Sequence, residues 1–110
     1  MRAAPKDRLH GTLDALILKT LSGGPRHGYA ITRWLRDSSG EAIQVEEGSL
    51  YPALQRILLK GWAKAEWGVS ETNRRVRFYR LTPGGRKQLE TEMADYERVN
   101  TAIRTLLRTA

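Results

Sequence analysis

The chain has no cysteine among its 110 residues, which excludes a disulfide scaffold, a thiolate zinc site and a cysteine nucleophile together. It also has no long apolar run. The longest, Ala15-Leu16-Ile17-Leu18, is far below the roughly 18 residues that cross a bilayer, and the N-terminus lacks a secretory h-region. A soluble, unexported, cytoplasmic protein is expected. Catalytic signatures are missing as well. There is no phosphate-binding Gly-x-x-x-x-Gly-Lys motif, and Gly84-Gly85 lacks the Lys-Ser or Lys-Thr that would follow. Glu46 and Glu47 come with no nucleophile or oxyanion site and read as loop charges. His10 and His27 lie far apart with no third ligand placed by spacing. No enzyme, metal or cofactor is expected.

Positive charge is abundant: 19 Lys and Arg stand against 12 Asp and Glu, for a net charge of +7 and a pI near 10.2. Such a balance points to a polyanionic partner, with three candidates: nucleic acid, an anionic membrane surface, or none, the positive face being simply solvated. With 40% hydrophobic and 28% charged residues, the composition is that of a folded chain with a single core.

Leu9, Leu13, Leu16, Ile17 and Leu21 paint one stripe of a first helix, closed by Ser22-Gly23-Gly24-Pro25. Tyr29, Ile31, Trp34 and Leu35 mark a second, short helix that stops at Ser38-Ser39-Gly40. Leu50, Leu54, Ile57 and Leu58 mark a third, ended by Gly61. Ser49 is its expected cap and Pro52 falls in its first turn. The period then changes to two: Trp62–Trp67 and Arg75–Leu81 read as the strands of a hairpin joined by 68–74. Thr82-Pro83 opens a last helix, whose apolar positions Leu89, Met93, Tyr96, Val99, Ile103, Leu106 and Leu107 persist for almost three heptads. Tyr29, Trp34 and Tyr79 are expected in the core, and Trp67 either in the core or lining a cavity.

The order helix, helix, helix, hairpin, helix predicts a mainly α protein with a small β-hairpin. It describes a winged helix-turn-helix over residues 1–82 and a long C-terminal dimerisation helix over 83–110. In that arrangement the third helix enters a DNA major groove and the hairpin follows the backbone. Charge placement agrees: from Thr72 to Leu89 there are six basic residues, Arg74, Arg75, Arg77, Arg80, Arg86 and Lys87, and no acidic one. The last helix instead mixes Glu90, Glu92, Asp95 and Glu97 with its basic residues, so a membrane partner is not expected. The alternative reading is a winged-helix protein-interaction or RNA-binding module without operator binding.

His27-Gly28-Tyr29, Gly48-Ser49-Leu50-Tyr51-Pro52-Ala53-Leu54, Gly61, Ala65-Glu66-Trp67, Arg75 and Phe78-Tyr79-Arg80-Leu81-Thr82 with Gly85 together resemble the signature of the PadR-like transcriptional regulators. The single C-terminal helix looks like the compact branch of that family. The resemblance implies a homodimeric repressor of double-stranded DNA whose C-terminal helices pair, released by a small hydrophobic or aromatic effector near the dimer seam. It places phosphate contacts at Ser49 and Tyr51, base or backbone contacts at Gln55 and Arg56, and a basic wing at Arg74, Arg75 and Arg77, with Lys64 assigned beside them. Leu89, Met93, Tyr96, Val99, Ile103 and Leu107 are the expected dimer seam, and Met93 and Tyr96 the expected effector contacts. The sequence departs from the family pattern at Leu58 and Leu59, where charged residues are usual, and at Trp62, where an aliphatic one is common.

Overall fold

A computed structural model describes residues 5–109, with side chains placed from Thr12 onward; the side chains of Leu9 and His10 lie outside the described residues. The elements are α1 (Pro5–Leu21), β1 (Arg26–His27), α2 (Gly28–Ser38), α3 (Glu47–Leu59), β2 (Ala63–Val69), β3 (Arg75–Leu81) and α4 (Pro83–Arg108). The winged helix-turn-helix and the long C-terminal helix are both present.

α1 is the central element and touches α2, α3, α4 and β3. Its Ile17, Leu18 and Leu21 are buried with Ile31 and Leu35 of α2 and Leu50, Ala53, Leu54 and Ile57 of α3. Half-buried Trp34, Leu58 and Trp62 pack against this cluster. Gly24, at φ +133°, turns the chain out of α1 in a conformation closed to most other residues. His27 then caps α2, with its ring Nδ1 accepting from the backbone N–H of Ala30 at 3.3 Å. Gly28 follows because a Cβ there would lie 2.8 Å from the Tyr51 hydroxyl.

α3 begins earlier than its sequence suggests. Its N-cap is Glu46, which makes no side-chain capping bond, and the backbone N–H groups of Ser49 and Leu50 both donate to the Glu46 carbonyl at 2.9 Å. Ser49 therefore sits within the first turn with an exposed side chain, and Pro52 lies in the second turn rather than the first. Burial of Leu50 at the start of the helix and the favourable placing of Glu47 beside the positive end of the dipole account for the extra residues.

β2 and β3 pair antiparallel from Ala63 opposite Leu81 to Val69 opposite Arg75, around a 70–74 turn in which Asn73 takes φ +62°. β1 adds a third strand on the other edge of β3, setting Arg26 against Tyr79 and His27 against Phe78. Alternation gives the sheet two faces. Ala63, Ala65 and Tyr79 lie on the face that covers the core, while Lys64, Glu66, Phe78 and Arg80 lie on the opposite one.

α4 starts as its sequence predicts. Thr82 Oγ1 accepts from the Gly85 backbone N–H at 3.0 Å and donates to the Gly61 carbonyl at 2.7 Å. A Cβ at Gly85 would collide with the Trp62 carbonyl, so glycine is what lets α4 lie against the base of the hairpin. Leu89 is 5% exposed and belongs to the core. Beyond it the helix leaves the body, which is why the molecule extends to 57 × 31 × 23 Å.

Candidate nucleic-acid interface

The outer surface of α3 is almost free of charge after its first turn. Ser49, Tyr51, Pro52, Gln55 and Leu59 are exposed, Leu59 at 82%. Spacings of four from Tyr51 to Gln55 and from Gln55 to Leu59 put these three on one stripe. Gln55 offers an amide donor and acceptor near its middle. Tyr51 is 47% exposed, and its hydroxyl lies against Gly28 at the start of α2.

Arg56 is placed differently from the sequence expectation. Its Nε and Nη2 donate to the two carboxylate oxygens of Asp14 at 3.2 and 2.8 Å. Asp14 is 6% exposed on α1, and a two-point contact of this kind fixes how α3 is rotated against α1. Arg56 thus ties α3 to α1, while Gln55 is exposed on the stripe that it shares with Tyr51 and Leu59.

The hairpin carries the charge. Register puts Trp67 opposite Arg77 and Val69 opposite Arg75, all four on the face shared with Ala63, Ala65 and Tyr79. The Arg75 guanidinium lies 4.6 Å from the centre of the Trp67 ring, and that of Arg77 lies 6.0 Å from Trp67 and 5.8 Å from Tyr79. Among the described residues neither arginine has a carboxylate partner. Burial pushes the Tyr79 phenol above its ordinary value, partly opposed by the positive charge of Arg77. Arg74 is exposed in the turn, where its backbone N–H donates to Ser70 Oγ. Lys64 lies on the other face, next to Arg80, which is paired with Glu66 at 2.9 Å.

The tip of the hairpin is tied to α2. His27 Nε2 meets Glu71 Oε1 at 3.4 Å, and its ring packs edge-on to Phe78 with centroids 5.5 Å apart. The Glu71 carboxyl is held below its usual range by its own backbone N–H and by His27, with Arg33 adding a smaller effect. Tyr29, expected in the core, is 66% exposed and has the Arg33 guanidinium 5.7 Å from its ring centre. These two residues form a basic, aromatic ledge on α2. The signal was present in the sequence: Tyr29 and Arg33 are four apart, off the stripe defined by Ile31 and Leu35.

Residues 17–91 match the transcriptional regulator PadR-like family. The chain belongs to that family. It is similar to the uncharacterised protein X of Lysinibacillus sphaericus, 30% identical over 97 residues that span 88% of this chain and 89% of that protein. Solved structures of similar shape include a transcriptional regulator from Clostridium thermocellum, with TM-score 0.82 and 30% identity over 93% of this chain and 99% of that one. A PadR-like transcriptional regulator from Bacillus cereus has TM-score 0.79 and 27% identity over 94% and 99%. The protein is thus a PadR-family transcriptional regulator and not an enzyme.

Two further features of this PadR-family regulator bear on its site. Met93, Tyr96, Val99, Ile103, Leu106 and Leu107 are all exposed along α4, from 42% at Val99 to 80% at Leu107. Leu89, predicted to join them in a dimer seam, is instead spent on the core. Neither of two surface clefts, one beside Pro83, Arg86 and Lys87 and one between Tyr29, Arg33 and Val45, is lined by Met93 or Tyr96. Among the described residues no group of three His, Asp or Glu side chains gathers to hold a metal, and no helix is long and apolar enough to cross a membrane.

Proposed function

We propose that this PadR-family regulator binds double-stranded DNA as a homodimer and acts as a repressor. The observation that carries the reading is the arginine face of the hairpin, where Arg75 and Arg77 share one side of the sheet with Trp67 and Tyr79 and, among the described residues, have no carboxylate partner. α3 enters the major groove, where Gln55 offers its amide to an adenine edge and Tyr51 and Ser49 approach phosphate. Arg74, Arg75 and Arg77 neutralise the backbone beside it, and the Tyr29–Arg33 ledge of α2 supplies a further phosphate contact. Lys64 and Arg56 are left out of this surface.

The apolar stripe of α4 supports the dimer. Six large apolar residues exposed on one protruding helix need a partner, and an identical helix related by a two-fold axis is the simplest. Two copies of α3 then address an inverted repeat whose half-sites lie about one helical turn apart, or a multiple of it. An effector contacting Met93 and Tyr96 would lie between the two paired helices, because both side chains are exposed on the α4 stripe. Repression follows from occupying a promoter. Selection from a randomised duplex pool, followed by mass measurement of the complex, tests the proposal: an inverted repeat bound by two chains is expected. A chain that ignores duplex DNA at low salt would instead be an interaction or RNA-binding module.

A further inference from the structure

The DNA-binding reading assigns the arginines of the hairpin but leaves Trp67 and Val69 unexplained. Both are large, apolar and open to water, Trp67 at 59% and Val69 at 62%. They lie on the face of the sheet that buries Ala63 and Tyr79 nearer its base. The guanidiniums of Arg75 and Arg77 lean over the indole, yet more than half of each apolar side chain stays open. Side by side on one face the two form a contiguous apolar patch, and such patches rimmed by polar residues mark interaction sites.

What arrives is indicated by the flanking charge. Arg77 stands directly opposite Trp67 and Arg75 opposite Val69, so the apolar pair is bracketed by two guanidiniums that lean over the indole at 4.6 and 6.0 Å. The partner must therefore alternate negative charge with an apolar surface at side-chain spacing. A duplex backbone does this: phosphates alternate with deoxyribose rings whose carbon edges line the minor groove. A wing with arginines alone would serve phosphate only. A protein partner would have to bring carboxylates to Arg75 and Arg77 together with an apolar knob for Trp67, whereas the duplex offers both along its whole length.

Resting on the proposal that this face meets DNA, we infer that Trp67, with Val69 beside it, is a direct DNA contact: the indole lies on deoxyribose at the edge of the minor groove while Arg75 and Arg77 hold the phosphates on either side. The stacked guanidiniums are ordered by the ring before DNA arrives, so less side-chain freedom is lost on binding. The contact is apolar and indifferent to base identity, so it strengthens binding to all duplexes alike.

The experiment reads Trp67 directly. Trp34 and Trp62, both half-buried, are replaced by Phe so that Trp67 alone emits, and the full chain is titrated with a random-sequence 30-base-pair duplex at low salt. The contact predicts that duplex binding shields Trp67 from acrylamide several-fold. In the otherwise wild-type chain, Trp67→Ala should weaken binding about tenfold, with the slope of log affinity against log salt unchanged because no charge is removed. If Trp34→Phe or Trp62→Phe unfolds the chain, 5-fluorotryptophan in the wild-type protein gives the same reading from the one resonance that Trp67→Phe deletes. Bound duplex with Trp67 still fully accessible overturns the inference and leaves the DNA reading intact. So does a reduced salt slope in Trp67→Ala, which would make the indole only a support for the arginines. Tighter binding of single strands than of duplex would mean that Trp67 stacks on bases, and also overturns it. A wild-type chain that binds no duplex at all removes the DNA-binding reading itself.

Discussion

Removing Arg56 tests whether it serves the fold or the groove. Asp14 has a side chain 9% exposed, and its two oxygens accept from Arg56 at 3.2 and 2.8 Å. Arg56→Ala would leave that carboxylate buried without its cation, and breaking a buried pair in this way costs about 3–5 kcal/mol. Because Arg56 is 28% exposed at its side chain, the lower end, about 3 kcal/mol, is expected. Asp14→Asn should cost less, about 1–2 kcal/mol, since the amide still accepts one bond and the guanidinium retains access to water. Urea unfolding followed by circular dichroism gives these differences, with protomer concentration held fixed because the oligomer contributes to apparent stability. In the double variant Asp14→Asn/Arg56→Ala the losses should not add, and the shortfall measures the coupling. For DNA, the folded Arg56→Ala protein should keep the wild-type salt slope. Stability unchanged within about 0.5 kcal/mol, together with a slope reduced by about 0.9, would show that Arg56 holds a phosphate and that the pair with Asp14 is incidental.

Three other outcomes follow from particular contacts. Gly85→Ala forces α4 away from the Trp62 carbonyl and should destabilise the chain by about 2–3 kcal/mol, seen as a drop of roughly 10 °C or more in Tm; an unchanged Tm would mean that the packing there is loose. Ending the chain after Thr91 keeps Leu89 in the core while deleting the exposed stripe from Met93 onward, so sedimentation should show a folded monomer; a dimer would place the seam elsewhere. Gln55→Ala should relax base preference at one position in each half-site, and an unchanged motif in a randomised-duplex selection would hand specificity to groove shape.

Much of this was legible in the chain because it depends on local chemistry. The change from a 3.6 to a 2 period after Gly61 marks the hairpin, and Thr82-Pro83 marks the start of α4, since each signal is spelled within a few residues. The features missed depend on distant partners. β1 is two residues long and is a strand only because Phe78 and Tyr79 lie beside it. Arg56 is three residues from Ala53 and next to Ile57 in sequence, at the border of the buried face, and its partner is 42 positions away; the lone acid Asp14 within the apolar stripe of α1 was the one hint. Tyr29 has the residue type of a core position, yet Ile31 and Leu35 fill the inner face of α2 and leave it outside. Ser49 satisfies every local rule for a cap, but burial of Leu50 carries the helix past it. Trp67 shows the limit of alternation: it shares a face with buried Tyr79, and only the length of the hairpin beyond the body decides that it is exposed.

The central claim is that the arginine face of the hairpin holds duplex DNA. Its most direct test is the affinity of the full chain for one duplex across a salt series, compared between wild type and Arg75→Ala/Arg77→Ala. Each lost phosphate contact lowers the slope of log affinity against log salt by about 0.9, so a fall of about 1.8 is predicted, with weaker binding at every salt concentration. Equal affinity and equal slope for the two proteins would contradict it.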